Sequence, residues 1–292
     1  MTDLYLFTKA PSAYEPTRYK EEGDKLGLDI QIVVYSDLDF VLTESGTRIL
    51  WKGEDLVAPK AVVFRAAGND NFYIPQRDFL IDWFLERGVK VLNAETYKTW
   101  SRLDKITQHF ELQKAGLPFV ESTVYGLNER LIEQTKTFPV ILKKNLSSRG
   151  RDVYKLKNSI DAKYLFEQGY FARTMLLQPF LKIGQDLRVI VIGGKVIGAM
   201  KRIAQSGQFL TNFSQGGIVE SYDIFSDTKA LDIAQKTAKH FRLDYVGVDL
   251  MMGADGEWKI LEVNRSCQFK GFEASTKINV PAKVLEFLGL TK

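Results

Sequence analysis

Asp249, Glu262 and Asn264 are the residues whose types and spacing most readily do chemistry. They lie in residues 246–269, VGVDLMMGADGEWKILEVNRSCQF. The stretch reads as two strands joined at Asp255-Gly256, because a type I′ turn needs positive φ at both central residues. Counting outward from that turn sets Ala254 against Glu257, Asp249 against Glu262, and Gly247 against Asn264. Strand side chains alternate faces, so Glu262, Asn264 and Asp249 fall on one side. Two carboxylates directly opposed on neighbouring strands repel. A cation is therefore expected between them, and an oxygen-only donor set suits a hard ion such as Mg²⁺. The competing reading is a solvated polar face. The apolar neighbours Val246, Val248, Leu250, Leu261 and Val263 point instead to a half-buried hairpin and to metal ligation.

A second candidate is the loop NLSSRGR at 145–151, which holds Ser147, Ser148, Arg149, Gly150 and Arg151 and follows directly on Lys143 and Lys144. A small polar turn with free backbone N–H groups and nearby cations can cover phosphates, although most such loops are ordinary hairpins. Other chemistries find little support. One cysteine and two histidines exclude an internal disulfide, a Cys/His zinc site and a plausible histidine triad. No strand is followed by G-x-G-x-x-G and no G-x-x-x-x-G-K-[ST] occurs. Gly193-Gly194-Lys195 sits between VIVI and VIGAM and reads as a hairpin turn. A net charge of +4 biases the chain mildly towards anionic ligands and is too weak to argue for nucleic acid. The sequence has neither a signal-like N-terminus nor an apolar run of membrane-spanning length, so no membrane association and a cytoplasmic location are expected.

These residues need elements to position them. Residues 4–8, 30–35, 61–65 and 90–93 read as strands alternating with helical patterns at 14–26 and 74–87, the latter with Phe79, Trp83 and Phe84 on one face. Ser45-Gly46 closes a small hairpin. Such alternation predicts a parallel α/β lobe over about 1–100. A helix is expected over 95–115. A second lobe follows to about 175, with strands at 121–125, 140–144 and 153–156 and helices at 129–135 and 160–168. The third lobe, 176–292, is antiparallel in pattern: strands at 176–181, 187–192, 195–203 and 218–222, a helix at 228–241, the carboxylate hairpin, and a last helix opened by Pro281. With no flexible linker between lobes, the site is expected in the clefts between them.

Several segments together resemble one family. Asp104-Lys105, PVILKKNLSSRG at 139–150, LLQPFL at 176–181, GQDLRVIVIGGKVIGAMKRIA at 184–204, FLTNFSQGG at 209–217, VGVDL at 246–250 and EVN at 262–264 are similar, in order and spacing, to the ATP-grasp fold. Within it the chain resembles the RimK-type α-L-glutamate ligases and their LysX-type relatives. The resemblance implies an α/β and α+β ATP-grasp architecture: an N-terminal parallel α/β lobe, a small central lid and a C-terminal antiparallel-sheet lobe. It also implies ATP, with Mg²⁺ or in its place Mn²⁺. Position by position, Lys105 and Lys143 would contact ATP phosphates beneath the loop of Ser147, Ser148 and Gly150. The backbone of Pro179 and Phe180, after Gln178, would meet adenine, with the Pro179 carbonyl accepting from its amine. Asp186 would meet the ribose, Arg202 and Asn212 the γ-phosphate and metal, and Asp249, Glu262 and Asn264 would hold the ion. Taken singly, Lys105, Asp186 and Arg202 are ordinary surface, turn and strand-end residues; their joint occurrence carries the assignment.

The activity so implied joins a carboxylate to an amine through an acyl phosphate, with Arg202 and Asn212 at the reacting groups and Arg202 stabilising the tetrahedral intermediate. The expected partners are an acidic amino acid, glutamate first, and a carboxylate acceptor that is a peptide, a protein C-terminus or a small molecule. Self-association into a homo-oligomer is left open. A kinase on the same fold and a non-catalytic ATP-binding module are the alternatives. The substrate end departs from the family's EVN-x-S-P-G: Cys267 and Gln268 replace the turn-forming pair, and Phe269-Lys270-Gly271 is nearer the E-F-K-N ending of the LysX type. Arg265 either offers a cation to an anionic substrate or points to solvent. Cys267 reads as a packing residue rather than a nucleophile.

Overall fold

The computed structural model describes residues 2–65, 72–147, 150–181, 184–205, 211 and 217–291. The N-terminal lobe comprises β1 (Leu4–Thr8), α1 (Tyr14–Leu26), β2 (Ile30–Val34), β3 (Leu38–Thr43), β4 (Gly46–Trp51), β5 (Glu54–Asp55), β6 (Ala61–Phe64), α2 (Ile74–Leu85) and β7 (Lys90–Val91). Its main sheet has the order β2-β1-β6-β7 and is parallel throughout. All residues of β1 and β6 are buried, as the continuous apolar runs require of strands covered on both faces. The small sheet β3-β4-β5 is antiparallel. On α2 the expected aromatic face is buried in part, Phe84 fully and Trp83 against the edge of the core. Leu80, Ile81 and Phe84 face the core with Arg77, while Phe79 is 39% exposed.

The helix expected over 95–115 is two helices, α3 (Ala94–Thr99) and α4 (Lys105–Lys114). The break has a local cause: the Asp104 Oδ1 accepts from the Thr107 N–H at 2.9 Å and caps a new helix there. This fresh start aims Lys105, in the first turn, at the cleft.

The middle lobe contains α5 (Asn128–Gln134), β8 (Val140–Lys144), β9 (Val153–Leu156), α6 (Ser159–Glu167) and β10 (Met175–Pro179). Its antiparallel sheet has the order β10-β8-β9. The strand expected to open the third lobe at 176 thus completes the middle sheet, paired along its length with β8. Residues 121–125 form no strand; Thr123 alone bridges to Leu177.

The last lobe holds β11 (Gln185–Ile192), β12 (Lys195–Ile203), β13 (Ile218–Tyr222), α7 (Thr228–His240), β14 (Tyr245–Met252), β15 (Trp258–Asn264), α8 (Lys270–Thr276) and α9 (Val280–Phe287). The sheet β13-β12-β11-β14-β15 is antiparallel. Gly193 and Gly194 close β11 onto β12 with φ of 54° and 74°, the double positive φ of a type I′ turn. One face, with Val189, Val191, Val246, Val248 and Ile260, packs on Ala234 and Ala238 of α7. The other face divides. Ile190, Ile192, Met200 and Tyr245 form a shared core with Leu4, Leu6 and Tyr19 of the N-terminal lobe and Phe272 of α8, whereas Asp186, Arg188, Arg202 and Asp249 occupy the remaining part.

The hairpin turn differs from the two-residue form expected at Asp255-Gly256. Gly256 N–H donates to Gly253 O at 3.1 Å and Gly253 N–H to Glu257 O at 2.8 Å, so Ala254 and Asp255 occupy the centre and Gly256, at φ 76°, closes it. That shifts the register by one residue, with Met252 against Trp258. A bulge at Leu261 shifts it back, and Asp249 faces Glu262 and Gly247 faces Asn264. The bulge also changes parity: Ile260 and Val263 both enter the apolar core, which turns Glu262 and Asn264 to the charged face.

The lobes are tied by Asn93. Its Nδ2 donates to Tyr245 O (2.8 Å) and Arg265 O (3.0 Å), and its Oδ1 accepts from Tyr245 N–H (2.9 Å). Asn93→Asp would set a carboxylate against two carbonyls and is expected to cost about 2–4 kcal/mol. Urea denaturation of the two proteins measures this, and equal midpoints would contradict it.

Candidate active site

The strand registers place a row of charges across one sheet face. Arg202 on β12 is directly opposite Asp186 on β11; Arg188, two residues along β11, is opposite Asp249 on β14; Asp249 is opposite Glu262 on β15. Each neighbour bears the opposite sign except the last pair. Arg188 grips Asp249 with both ends of its fork, Nε to Oδ1 and Nη2 to Oδ2, each at 2.8 Å. Arg202 does the same to Asp186, at 2.6 and 2.9 Å, and its Nη2 also reaches Asp249 Oδ2 at 2.9 Å. Thr211 Oγ1 donates to Asp186 at 2.6 Å and Asn264 Nδ2 to Asp249 Oδ2 at 3.2 Å.

Asp186, Arg202 and Asp249 are 2–3% exposed. Burial by itself would raise the Asp249 carboxyl, but the charges of Arg188 and Arg202 overcome it and hold the group below the usual carboxylate range. Among the described residues nothing bonds the Arg202 Nη1 edge. Two buried carboxylates hold the guanidinium in place, and Arg202 itself lines the cleft.

That cleft lies between the middle and last lobes and combines apolar walls with a few convergent polar groups, the lining of a small-molecule site. Ile141, Val153 and Phe180 line one side, Met251 and Leu261 the other, a pair of apolar walls suited to a flat ring. The polar end carries Lys105 and Lys143. Lys105 Nζ donates to Ser147 O at 2.7 Å and pairs with Glu262 Oε1 at 3.2 Å. Lys143 has no ion-pair partner among the described residues. Burial pulls its ammonium down to about 8; Glu262 opposes this shift and Lys105 adds to it. Gln178, at the back, donates to Ser122 Oγ at 2.8 Å and approaches His109 Nε2 at 3.4 Å. His109 Nδ1 lies 2.6 Å from Lys105 O, which fixes the proton on Nδ1 and leaves Nε2 as acceptor; burial favours this neutral form.

Of the residues singled out by sequence, Lys105, Lys143, Ser147, Gly150, Gln178, Pro179, Phe180, Asp186, Arg202, Asp249 and Glu262 line this one cleft, with Asn264 bonded to Asp249 at its floor. Ser148 and Asn212 lie outside the described residues. The cations first found between the carboxylates are side chains: Arg188 and Arg202 on Asp249, Lys105 on Glu262. Among the described residues, no three His, Cys, Asp or Glu side chains cluster as a metal site; the oxygen donors here are two carboxylates and an amide.

Arg188 was missed, although its alternation with Asp186 along a strand could have revealed it. Arg265 serves neither of the roles open to it. Its Nη1 and Nη2 donate to Trp100 O and Ser101 O at 2.6 Å each and it stacks 4.2 Å from the Tyr97 ring. Burial pushes its pKa down to about 10. It fastens the end of β15 to the break between α3 and α4. Where the family has Pro-Gly, the chain is held by side chains instead: Arg65 Nη2 and Tyr245 Oη donate to Cys267 O (3.0 and 3.1 Å) and Arg188 Nη1 to Gln268 O (3.4 Å). Cys267 is buried against Gly247, and burial raises its thiol pKa, which suits packing and not nucleophilic attack.

The chain has recognisable relatives. Residues 103–288 match the RimK-like ATP-grasp domain, and the chain belongs to that family. It is 30% identical, over 97% of its length and 94% of the relative's, to a probable alpha-L-glutamate ligase of Maridesulfovibrio salexigens. A protein of Psychromonas ingrahamii with the same description is 29% identical, with 98% and 94% covered. In fold it is similar to the ATP-grasp ligase PsnB, whose structure was solved with minimal precursor, Mg and ADP (TM-score 0.72, 22% identity, 99% of each chain). The chain is accordingly an ATP-dependent enzyme that ligates a carboxylate to an amine.

Lys143 gives a direct check on the cleft's electrostatics. Its charge is disfavoured in the fold, so that cost, fully present below about pH 8, is relieved as pH rises towards the ordinary lysine value. NMR of the ¹³Cε-labelled lysines is expected to show one signal titrating near 8 that K143R removes. Titration of every lysine above 10 would contradict the burial.

Proposed function

We propose that this ligase uses ATP and Mg²⁺ to add glutamate, or another acidic amino acid, to a carboxylate on a peptide, a protein C-terminus or a small molecule. The observation that carries the reading is Arg202, fixed by two buried carboxylates at the cleft's polar end, with Lys105 and Lys143 beside it. These three cations equal Asp186, Asp249 and Glu262 in number, but Lys143 and the Arg202 Nη1 edge have no carboxylate partner among the described residues, so the cleft offers cationic donors to a polyanion.

ATP lies with its base between the apolar walls, adenine against the backbone of Pro179 and Phe180 and close to Gln178. Asp186 borders the ribose while it anchors Arg202. Lys105, Lys143 and the loop with Ser147, Ser148 and Gly150 take the phosphates, and Asn212 joins Arg202 at the terminal one. Asp249, Glu262 and Asn264 fit Mg²⁺ by their oxygen donors: among the described residues Asp249 Oδ1 accepts a single hydrogen bond, and the Asn264 carbonyl is not engaged by the Nδ2 contact. The ion, for which Mn²⁺ would substitute, offsets phosphate charge when bound. Arg202 then neutralises the oxygens of the acyl phosphate and of the tetrahedral adduct formed by the attacking amine. Lys143, near neutral at moderately alkaline pH, is protonated when it holds phosphate.

ADP release tested against panels of amino acids and carboxylates checks the reading. ADP is expected only with both partners present, glutamate being the best amine, and Asp249→Asn and Glu262→Gln are expected to lower turnover at least about a hundredfold. ADP formed with a phosphorylated product and no amine would instead indicate a kinase. Mass spectrometry of cell extract supplied with ATP and labelled glutamate identifies the acceptor by its added mass.

A further inference from the structure

Arg188 is not among the residues that line the nucleotide cleft, yet it makes the most complete contact with Asp249, which is. Its fork occupies both carboxylate oxygens at 2.8 Å. Oδ2 also receives Arg202 at 2.9 Å and Asn264 at 3.2 Å and has no capacity left, so a cation can reach only Oδ1. There it would sit beside two guanidinium groups in a buried setting, where like charges repel strongly. A divalent ion arriving by itself meets this barrier in full. One arriving with a polyphosphate does not, because phosphate oxygens neutralise it and give the Arg202 Nη1 edge an anion.

We infer that Arg188 is a positioning residue that makes the carboxylate hairpin bind a divalent cation only in company with the nucleotide. It occupies Asp249 as a resident counter-ion and fixes the orientation of its carboxylate. It thereby converts two weak binding events into one coupled event, the coupling acting equally on both ligands. Arg188 also ties Asp249 to the substrate end of the site, since its Nη1 reaches Gln268 O at 3.4 Å. The inference rests on the metal site proposed above.

The test measures Mn²⁺ binding to the full chain by the electron spin resonance signal of free Mn²⁺, with and without ADP, and ADP binding in EDTA by calorimetry. Wild type is expected to bind Mn²⁺ poorly alone and at least about tenfold more tightly with ADP. Arg188→Gln is expected to bind Mn²⁺ alone about tenfold more tightly than wild type, and ADP in EDTA no more tightly. Arg188→Lys, which keeps the charge, is expected to resemble wild type. A merely structural loss would weaken both ligands together, and that result would overturn the inference. So would wild type binding Mn²⁺ equally well with and without ADP, which requires no variant to fold. Asp249→Asn separates the two levels: if it binds Mn²⁺ with ADP as wild type does, the metal site itself is wrong. If it does not, and Arg188→Gln matches wild type, only the role of Arg188 fails.

Discussion

The structure depends on a buried carboxylate that is never without a cation. Asp249 lies on a central strand, opposite Arg188 on one side and Glu262 on the other. Burying such charges is expensive, and replacing a buried ion pair by apolar packing is often neutral or stabilising by about 1–4 kcal/mol. Stability alone therefore does not account for Asp186, Arg188, Arg202 and Asp249 on a sheet whose opposite face buries an apolar core against α7. Their arrangement makes sense as a preorganised charge pattern: guanidinium groups held rigidly by carboxylates, in a setting where water is scarce and each charge acts at close range.

The scaffold serves that pattern. One face of the sheet closes on α7 and part of the other on the N-terminal lobe, leaving the remainder for charge. A bulge at Leu261 reconciles two demands on β15, sending Ile260 and Val263 into the core and Glu262 and Asn264 to the site. The residues after β15 carry neither proline nor glycine to shape the turn, and polar side chains from elsewhere hold their carbonyls instead. Asn93, Arg65, Tyr245 and Arg188 do this work, two of them from the N-terminal lobe. The N-terminal lobe thus fixes the floor of the site through backbone hydrogen bonds as well as through the shared core.

Much of this was legible in the chain. Strong alternation and glycine-marked turns place β8, β9, β12 and β13 by sequence where the structure has them, and the opposition of Asp249 to Glu262 was correct. It was correct through two offsets that cancel: the turn is one residue longer than Asp255-Gly256 suggests, and the bulge restores the register. A bulge is chosen by the packing of Ile260 and Val263 against α7, which local sequence does not display. The break before Lys105 depended on recognising Asp104 as a cap inside an otherwise helical pattern. The partnership of β10 with β8 is a tertiary choice between two sheets. Arg188 escaped notice because an arginine in an apolar strand reads as an edge residue until its opposite partner is known. Arg265 attracted notice by proximity to the proposed metal ligands, yet its direction is set by carbonyls about 165 residues earlier in the chain.

The central claim is that the carboxylate hairpin and its arginines form one receptor for a metal-bound polyphosphate. Anomalous diffraction from crystals grown with Mn²⁺ and ADP examines it most directly. The account requires an anomalous peak in direct contact with Asp249, Glu262 and Asn264, and phosphate oxygens against Arg202, Lys105 and Lys143. Density placing the ion and the phosphates away from these side chains, with Glu262 still paired only to Lys105, would contradict it.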